Sequence, residues 1–346
     1  MNSFIEHIEI TNFKSIRHLE MDGFKKINLF IGKPNVGKSN ILEALSVFTI
    51  PYLKDNPSKK ISDMIRMENL TDFFHNWNIG EKSIIEIKED EEKFICKISY
   101  KVEAEKESLN FFNYHQRLNR ENNGSIYNHS DYKVNKDLEY SYGELNYAIT
   151  HIKRYIFKAS TSPANYSIPF LYPPFGINLL YVLERLPKLR KTIAYWFEQY
   201  GLKLVLDRAN NSVRIQKEIG ENEVLSLPYS SIADTLQRII FYKTAIASNK
   251  DSVLIFEEPE AHAYPPYIAE FTQEVINSET NQFFMATHSP IVVNDFLENA
   301  IDDLAIFMVD FKDGQTKVKG LSREEIEDVY KYGIDLFFNG ESYPVL

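Results

Sequence analysis

Three short stretches carry residues that could do chemistry together. The first is LFIGKPNVGKSN at 29–40, where an apolar run meets Gly32, Lys33, Pro34, Asn35, Val36, Gly37, Lys38 and Ser39, followed by Asn40. A glycine, four residues and then Gly-Lys-Ser let backbone N–H groups, backed by a helix N-terminus, ring the phosphates of a nucleotide. Lys38 would reach the β- and γ-phosphates and the Ser39 hydroxyl would ligate Mg2+. The second stretch, SVLIFEEPEAH at 252–262, places Glu257 and Glu258 at the end of four apolar residues. One carboxylate there can hold the Mg2+ hydration shell while its neighbour orients an attacking water. Two adjacent carboxylates repel each other, a cost that a cation relieves. The third, NQFFMATHSPIVV at 281–293, ends its apolar run at Thr287-His288-Ser289, where His288 can sense the γ-phosphate. Each stretch also has a plainer reading: an ordinary strand-turn-helix, a buried strand ending in an acidic turn, and a structural histidine. Their occurrence in order favours a single phosphate site, since ligands of an open α/β sheet sit beyond the carboxyl ends of its strands.

Such a site needs elements to position it. FIEHIEI at 4–10 alternates as a strand does, and INLFI at 27–31 reads as a buried strand. After the glycine loop, Ile41, Leu42, Leu45 and Phe48 recur at helical spacing, and Pro51 with the polar KDNPSKK ends that helix. SIIEIKEDEEKFICKISY at 83–100 reads as a hairpin around an acidic turn. Residues 110–147 are rich in Asn and Tyr with little periodicity, and are expected to be a surface insertion. The tyrosines invite base stacking, but Arg117, Arg120, Lys133 and Lys136 face five acids, Glu121, Asp131, Asp137, Glu139 and Glu144, which favours a loop or partner-contact surface. Pro163, Pro169, Pro173 and Pro174 mark an irregular connector, and two helices follow on either side of Pro187. The second places Leu189, Ile193, Trp196, Phe197 and Tyr200 on one face, and Gly201 closes it. Lys188, Arg190 and Lys191 at its start read as a solvated face, or more sharply as a docking patch. LKLVLD and SVRIQKEI look like paired strands, and Ile232, Leu236, Ile239, Ile240 and Ile246 form a helical stripe ahead of the two glutamates.

Composition bounds the possibilities. The 346 residues suffice for one large domain or two ordinary ones, and 44% hydrophobic with 25% charged residues is ordinary for a globular protein. A formal net charge of −10 gives no overall attraction for nucleic acid or anionic lipid. One cysteine, Cys96, excludes an internal disulfide and a cysteine-based metal site. The N-terminus lacks a signal peptide's apolar core, and no run is apolar enough to span a bilayer, so no membrane partner and a cytoplasmic location are expected.

The phosphate loop at 32–39, IFEEPEAH at 255–262 and ATHSP at 286–290 together resemble the ABC-type ATPases of the SMC, RecF and OLD (overcoming lysogenization defect) group. IEITNFKSI near the start is similar to that group's first strand, and PPFGINLLYVLERLPKLRKTI to its middle segment. The resemblance implies an α/β P-loop NTPase: an ABC-type ATPase head with an antiparallel β lobe and a helical lobe. It implies one discontinuous ATPase domain, with an N-terminal lobe at 1–104, the insertion at 105–150, a middle segment at 151–228 and a C-terminal lobe at 229–346. ATP and Mg2+ are the implied cofactors. Lys38, Glu258 and His288 would be catalytic, Glu258 activating water and His288 acting as the switch histidine. Ser39 and Glu257 would hold the metal. The loop residues 32–40, together with Lys14 and Ser15 of IEITNFKSI, would contact nucleotide. Glu260 and Ala261 would fall in the loop that crosses a head-to-head dimer interface.

Two departures from the family pattern matter. Its signature segment has a serine and a glycine opening a helix, and it contacts the partner's γ-phosphate. YSSIADTLQR at 229–238 is in the right place but has no glycine. Either Ser230 or Ser231 plays the serine, or Ala233-Asp234-Thr235 stands in for Ser-Asp-Gly. Since a backbone without glycine approaches phosphate less closely, slow hydrolysis and a long-lived dimer are expected. The lobe-linking glutamine is also missing, with His75 or Asn76 as substitutes. Only 56 residues follow Pro290 and VDFKDGQT is a poor two-metal nuclease candidate, so the ATPase is expected without a nuclease, and long coiled-coil arms are missing too. The implied function is an ATP-driven dimeric switch controlling a separate effector protein, by analogy in antiphage defence. A RecF-like DNA-binding repair ATPase, drawing on the 185–191 cluster and the Lys14–Arg17 region, and a nucleotide-holding scaffold with little turnover are the alternatives.

Overall fold

Alternation of apolar and polar residues sets up the first strands. In the computed structural model, which describes residues 4–56, 58–117, 126–145, 151–159 and 166–345, β1 (His7–Phe13) and β2 (Ile16–Asp22) form a hairpin through Lys14 and Ser15. Strand β3 (Ile27–Ile31) has all five residues buried. Helix α1 (Lys38–Ser46) follows the glycine loop and stops earlier than its apolar spacing suggests. A 3-10 stretch, with Pro51 inside it, continues to Asp55. Next come β4 (Ser83–Glu89), β5 (Glu92–Glu103), β6 (Lys106–Arg117), β7 (Ile126–Asn135), β8 (Tyr140–Leu145) and β9 (Ile152–Tyr155). Helices α2 (Leu179–Arg185) and α3 (Pro187–Glu198) meet at Pro187, which fits a first helical turn because its missing N–H is not needed there. Strands β10 (Lys203–Asp207), β11 (Ser212–Gly220) and β12 (Glu223–Pro228) lead to α4 (Asp234–Ser248). The chain continues through β13 (Val253–Glu257), α5 (Pro265–Asn277), β14 (Gln282–Ala286), α6 (Pro290–Asn299), β15 (Leu304–Lys312), β16 (Gln315–Gly320) and α7 (Arg323–Tyr332).

These elements divide into two compact units. One comprises Met1–Arg154, Asp251–Glu258 and Gln282–Leu346, and the other Tyr155–Lys250 and Pro259–Asn281. The first holds a six-stranded sheet in the order β16-β15-β3-β14-β13-β9, with β3 parallel to both β14 and β15, and β13 parallel to β14. Buried strands of this kind read as continuous apolar runs, and Phe30 stacks on Phe284 and Phe307 within it. Its second sheet, in the order β2-β1-β4-β5-β6-β7-β8, is antiparallel throughout. The other unit pairs β10, β11 and β12 with helices α2 to α5. Helix α4, expected with the C-terminal lobe, groups instead with the middle segment, and Ile232 precedes that helix rather than lying on its stripe.

The Asn- and Tyr-rich segment is the largest correction to the sequence reading. It is not a surface insertion but strands β6 to β8 of the antiparallel sheet. Leu109, Phe111, Tyr132, Val134 and Tyr140 are buried, with Phe111 stacked on Tyr132 at 4.7 Å. The period-2 pattern was hidden because Asn113 and Ser130, direct cross-strand partners, occupy inward positions where an apolar pair would have announced the sheet. Arg120 and Glu121, like Pro163 of the proline-rich connector, lie outside the described residues.

One buried cation in this unit has a measurable consequence. Lys153 on β9 is buried and donates to Ser252 Oγ at 3.1 Å. Burial pushes its ammonium down to about 7. The unfolded chain therefore holds more protons than the native one between that value and the ordinary lysine range, so stability rises with pH across the window and the penalty is complete below it. Lys153→Met is expected to stabilise the fold by about 2 kcal/mol at pH 6.5 and by progressively less towards pH 10, read by chemical denaturation across pH.

Candidate functional site

The glycine loop between β3 and α1 is shaped by its neighbours. Gly37 sits at φ +103, and a Cβ there would lie 2.0 Å from Thr316 Oγ1 and 2.8 Å from Ser15 Oγ. A Cβ on Gly32 would meet Val309 O at 2.2 Å. Both positions thus require glycine, one for its left-handed backbone and both for space. Thr316 Oγ1 donates to Val36 O at 3.0 Å and pairs with Ser15 Oγ at 2.6 Å, which also accepts from Asn40 Nδ2 at 2.6 Å. The loop is held from three sides before any ligand arrives.

Lys38 opens α1 with its ammonium folded back over the loop, donating to Gly32 O at 2.7 Å and Lys33 O at 2.8 Å. Burial lowers it to about 8, against the opposing pull of Glu258 and Glu257. Both glutamates come from the end of β13, as the parallel pairing of β13 with β14 and of β14 with β3 requires. Glu257 lines the cleft together with Ser39. It also accepts from Arg66 Nη2 through Oε1 at 2.7 Å and from Arg154 Nη2 through Oε2 at 2.5 Å. Burial works to raise this carboxyl, but Arg154, Ser39 and Arg66 together hold it below the usual range. Glu258 adopts φ +44, uncommon outside glycine and asparagine, with its N–H donating to Ala286 O at 2.9 Å. Its carboxylate approaches His288 Nε2 at 3.5 Å. Lys38, Ser39, Arg66, Glu257, Glu258 and His288 all line one cleft of about 350 Å3.

This donor set fits the two groups such a loop takes. A serine hydroxyl and a carboxylate lining one cleft are hard oxygen donors of the kind Mg2+ prefers. Main-chain N–H groups at a helix start, a lysine and a guanidinium suit a polyphosphate.

Not every residue expected at the site is there. Lys14 turns away from the cleft: its Nζ is paired with the fully buried carboxylate of Glu43 and donates to Arg66 O at 2.5 Å. Ser15 braces Thr316 and Asn40 instead of lining the cleft. Lys33 reaches outward to Glu341 at 3.1 Å. His75 is buried and bonds Lys14 O through Nδ1 at 2.9 Å, and Asn76 is a turn residue at φ +48. Ser230 and Ser231 lie in a 3-10 turn and Asp234, paired with Arg238 at 2.8 Å, begins α4. All three belong to the second unit, whereas the cleft is built wholly from the first. Conversely, Arg66 and Arg154, both bonded to Glu257, carry no sequence motif. Arg66 stands alone in an unpatterned stretch, and Arg154 occupies a strand where one buried arginine carries no motif.

A protein-family profile described as "AAA domain, putative AbiEii toxin, Type IV TA system" matches residues 27–294. An ATP/GTP phosphatase of Helicobacter pylori is 49% identical over 68 residues, 19% of this chain and 18% of that protein. The DNA replication and repair protein RecF of Lactobacillus acidophilus is 38% identical over 42 residues, 12% and 11% of the two chains. This chain therefore spans under a fifth of either relative in its matched part. Among solved structures, the SMC head bound to the C-winged helix domain of ScpA aligns over 93% of this chain and 99% of its own, at 14% identity and a TM-score of 0.49. The family match runs from β3, ahead of the glycine loop, past the two glutamates and His288, and the chain belongs to that AAA-domain family.

Proposed function

We propose that this chain binds and slowly hydrolyses Mg-ATP in the cleft beside the glycine loop, and that ATP closes two copies head to head as a switch acting on a separate effector protein. The observation that carries the reading is the convergence of Lys38, Ser39, Glu257, Glu258 and His288 on one cleft from three strand ends. Lys38 leaves Gly32 O and Lys33 O for the β- and γ-phosphates, while the loop N–H groups and α1 hold the rest of the chain of phosphates. Ser39 and Glu257 would hold the divalent cation, and Arg66 would offer the nucleotide a further positive charge at the same cleft. Mg2+, when bound, neutralises charge developing on the phosphoryl oxygens. Glu258, half-exposed and directed at His288, accepts the proton of the attacking water, and His288 reports the state of the γ-phosphate to α6. Ser230, Ser231 and Asp234 of a second copy would complete the site in trans, and their lack of a glycine underlies the slow turnover.

The family description, with its toxin and antitoxin wording, supports a defence role by analogy. A DNA-repair role has less to draw on, because Lys14 is spent on Glu43 while Lys188 and Lys191 are single solvated cations. Light scattering on the Glu258→Gln protein tests the switch: ATP should convert monomer to dimer, and Lys38→Ala should stay monomeric and lack ATPase activity. A Glu258→Gln protein that binds ATP yet stays monomeric would overturn the dimer reading.

A further inference from the structure

Arg154 is a buried guanidinium poised behind the site. Its side chain is 4% exposed, and besides Glu257 Oε2 it donates through Nη1 to Ser46 Oγ at 3.2 Å. Its backbone N–H donates to Thr49 Oγ1 at 3.1 Å, and Ser46 donates in turn to Leu42 O, one turn back along α1. One side chain thus ties the end of β13 to the helix that begins with Lys38 and Ser39. The Nε–H is buried with no partner among the described residues. An unpaired buried N–H is a cost, so fold stability alone is a poor reason for this arginine.

We propose that Arg154 is a positioning residue for the divalent metal that accompanies the nucleotide. It pins Oε2 of Glu257 and leaves Oε1 as the oxygen that would be offered to the metal. Oε1 is held by Nη2 of Arg66, whose side chain is 65% exposed and can release that oxygen towards water while its Nε stays on Glu43 Oε1 at 2.9 Å, whereas the 4% exposed Arg154 cannot let go. Arg66 Nη2 would give up Oε1 when the cation is bound, and Arg154 would keep Oε2 fixed before and after. This inference rests on the reading that Ser39 and Glu257 hold the metal.

The test is the affinity for a fluorescent, non-hydrolysable ATP analogue, measured with Mg2+ and with EDTA. In Arg154→Met the gain in affinity conferred by Mg2+ should shrink about tenfold, while the affinity in EDTA stays at the wild-type value. Arg154→Lys, which keeps the charge but loses the bridge, should fall between the two. A folded Arg154→Met protein with the full Mg2+ gain overturns the proposal. Should that variant fail to fold, the same readout on Arg154→Lys decides: a full gain overturns the proposal and a reduced one supports it. Ser39→Ala separates the two levels of the argument. If Ser39→Ala keeps the Mg2+ gain, the metal reading itself fails; if Ser39→Ala abolishes the gain and the Arg154 variants keep it, only the role of Arg154 fails.

Discussion

Glu258→Gln is expected to lower kcat for ATP by about 100- to 1,000-fold while leaving KM nearly unchanged. Two observations and one point of chemistry lead to this. The side chain stands half-exposed at the edge of the cleft, 48% accessible, so binding and folding do not depend on its charge. It lies 3.5 Å from His288 Nε2, a contact that a glutamine oxygen can still accept. What glutamine cannot do is take a proton from water, and that loss appears only in the transition state. Steady-state kinetics with a parallel measurement of nucleotide binding checks the split. A variant whose KM rises while kcat holds would remove Glu258 from the chemical step and make it a binding residue.

The left-handed backbone at Glu258 belongs to the same argument. A non-glycine residue at φ +44 is held by its surroundings, here by the bond from its N–H to Ala286 O on β14. Next to it, Glu257 still follows the strand and lines the cleft with Ser39. The change of backbone sign between two neighbours sends two adjacent carboxylates to different partners, Glu257 to Arg66 and Arg154 and Glu258 to His288, which sequence adjacency alone does not reveal.

Much of the site was legible in the sequence because each part is local. The glycine spacing, the apolar run into Glu257-Glu258 and the run into Thr287-His288 each combine a strand's burial with a polar terminus, and the parallel sheet sets those termini side by side. The family and the fold class followed from the same three stretches. The failures share a different cause, which is contact between residues far apart in the chain. Arg154 meets Glu257 from 103 positions away, and Arg66 from 191. Lys14 looked like a cation for nucleotide or DNA, but it is consumed by Glu43, a fully buried acid on α1 that helical spacing would have put down as one more polar position. The β6–β8 strands were missed because an asparagine and a serine stand in their inward rows. No local pattern carries such information; it appears only when the sheet is assembled.

Glu257→Ala should behave quite unlike its neighbour's variant, lowering the stability of the fold by about 3 kcal/mol in addition to removing the proposed metal ligand. Glu257 is the counter-charge of Arg154, which is almost wholly buried, and a partner of Arg66. Removing it leaves a guanidinium in a dry setting with neither a carboxylate nor water. A paired buried charge contributes little net stability, but an abandoned one costs the whole desolvation of the ion. Glu258→Gln, by contrast, should shift stability by under about 0.5 kcal/mol, because its carboxylate is half in solvent. Urea denaturation of the two single variants measures that contrast. The double variant Glu257→Ala with Arg154→Met separates cause from coincidence: if the stranded guanidinium is the source of the loss, removing it as well should recover a large part of the stability. Additive losses in the double variant would mean that the two residues stabilise the fold independently, and that the ion pair is not the reason an acid at this strand end doubles as part of the core.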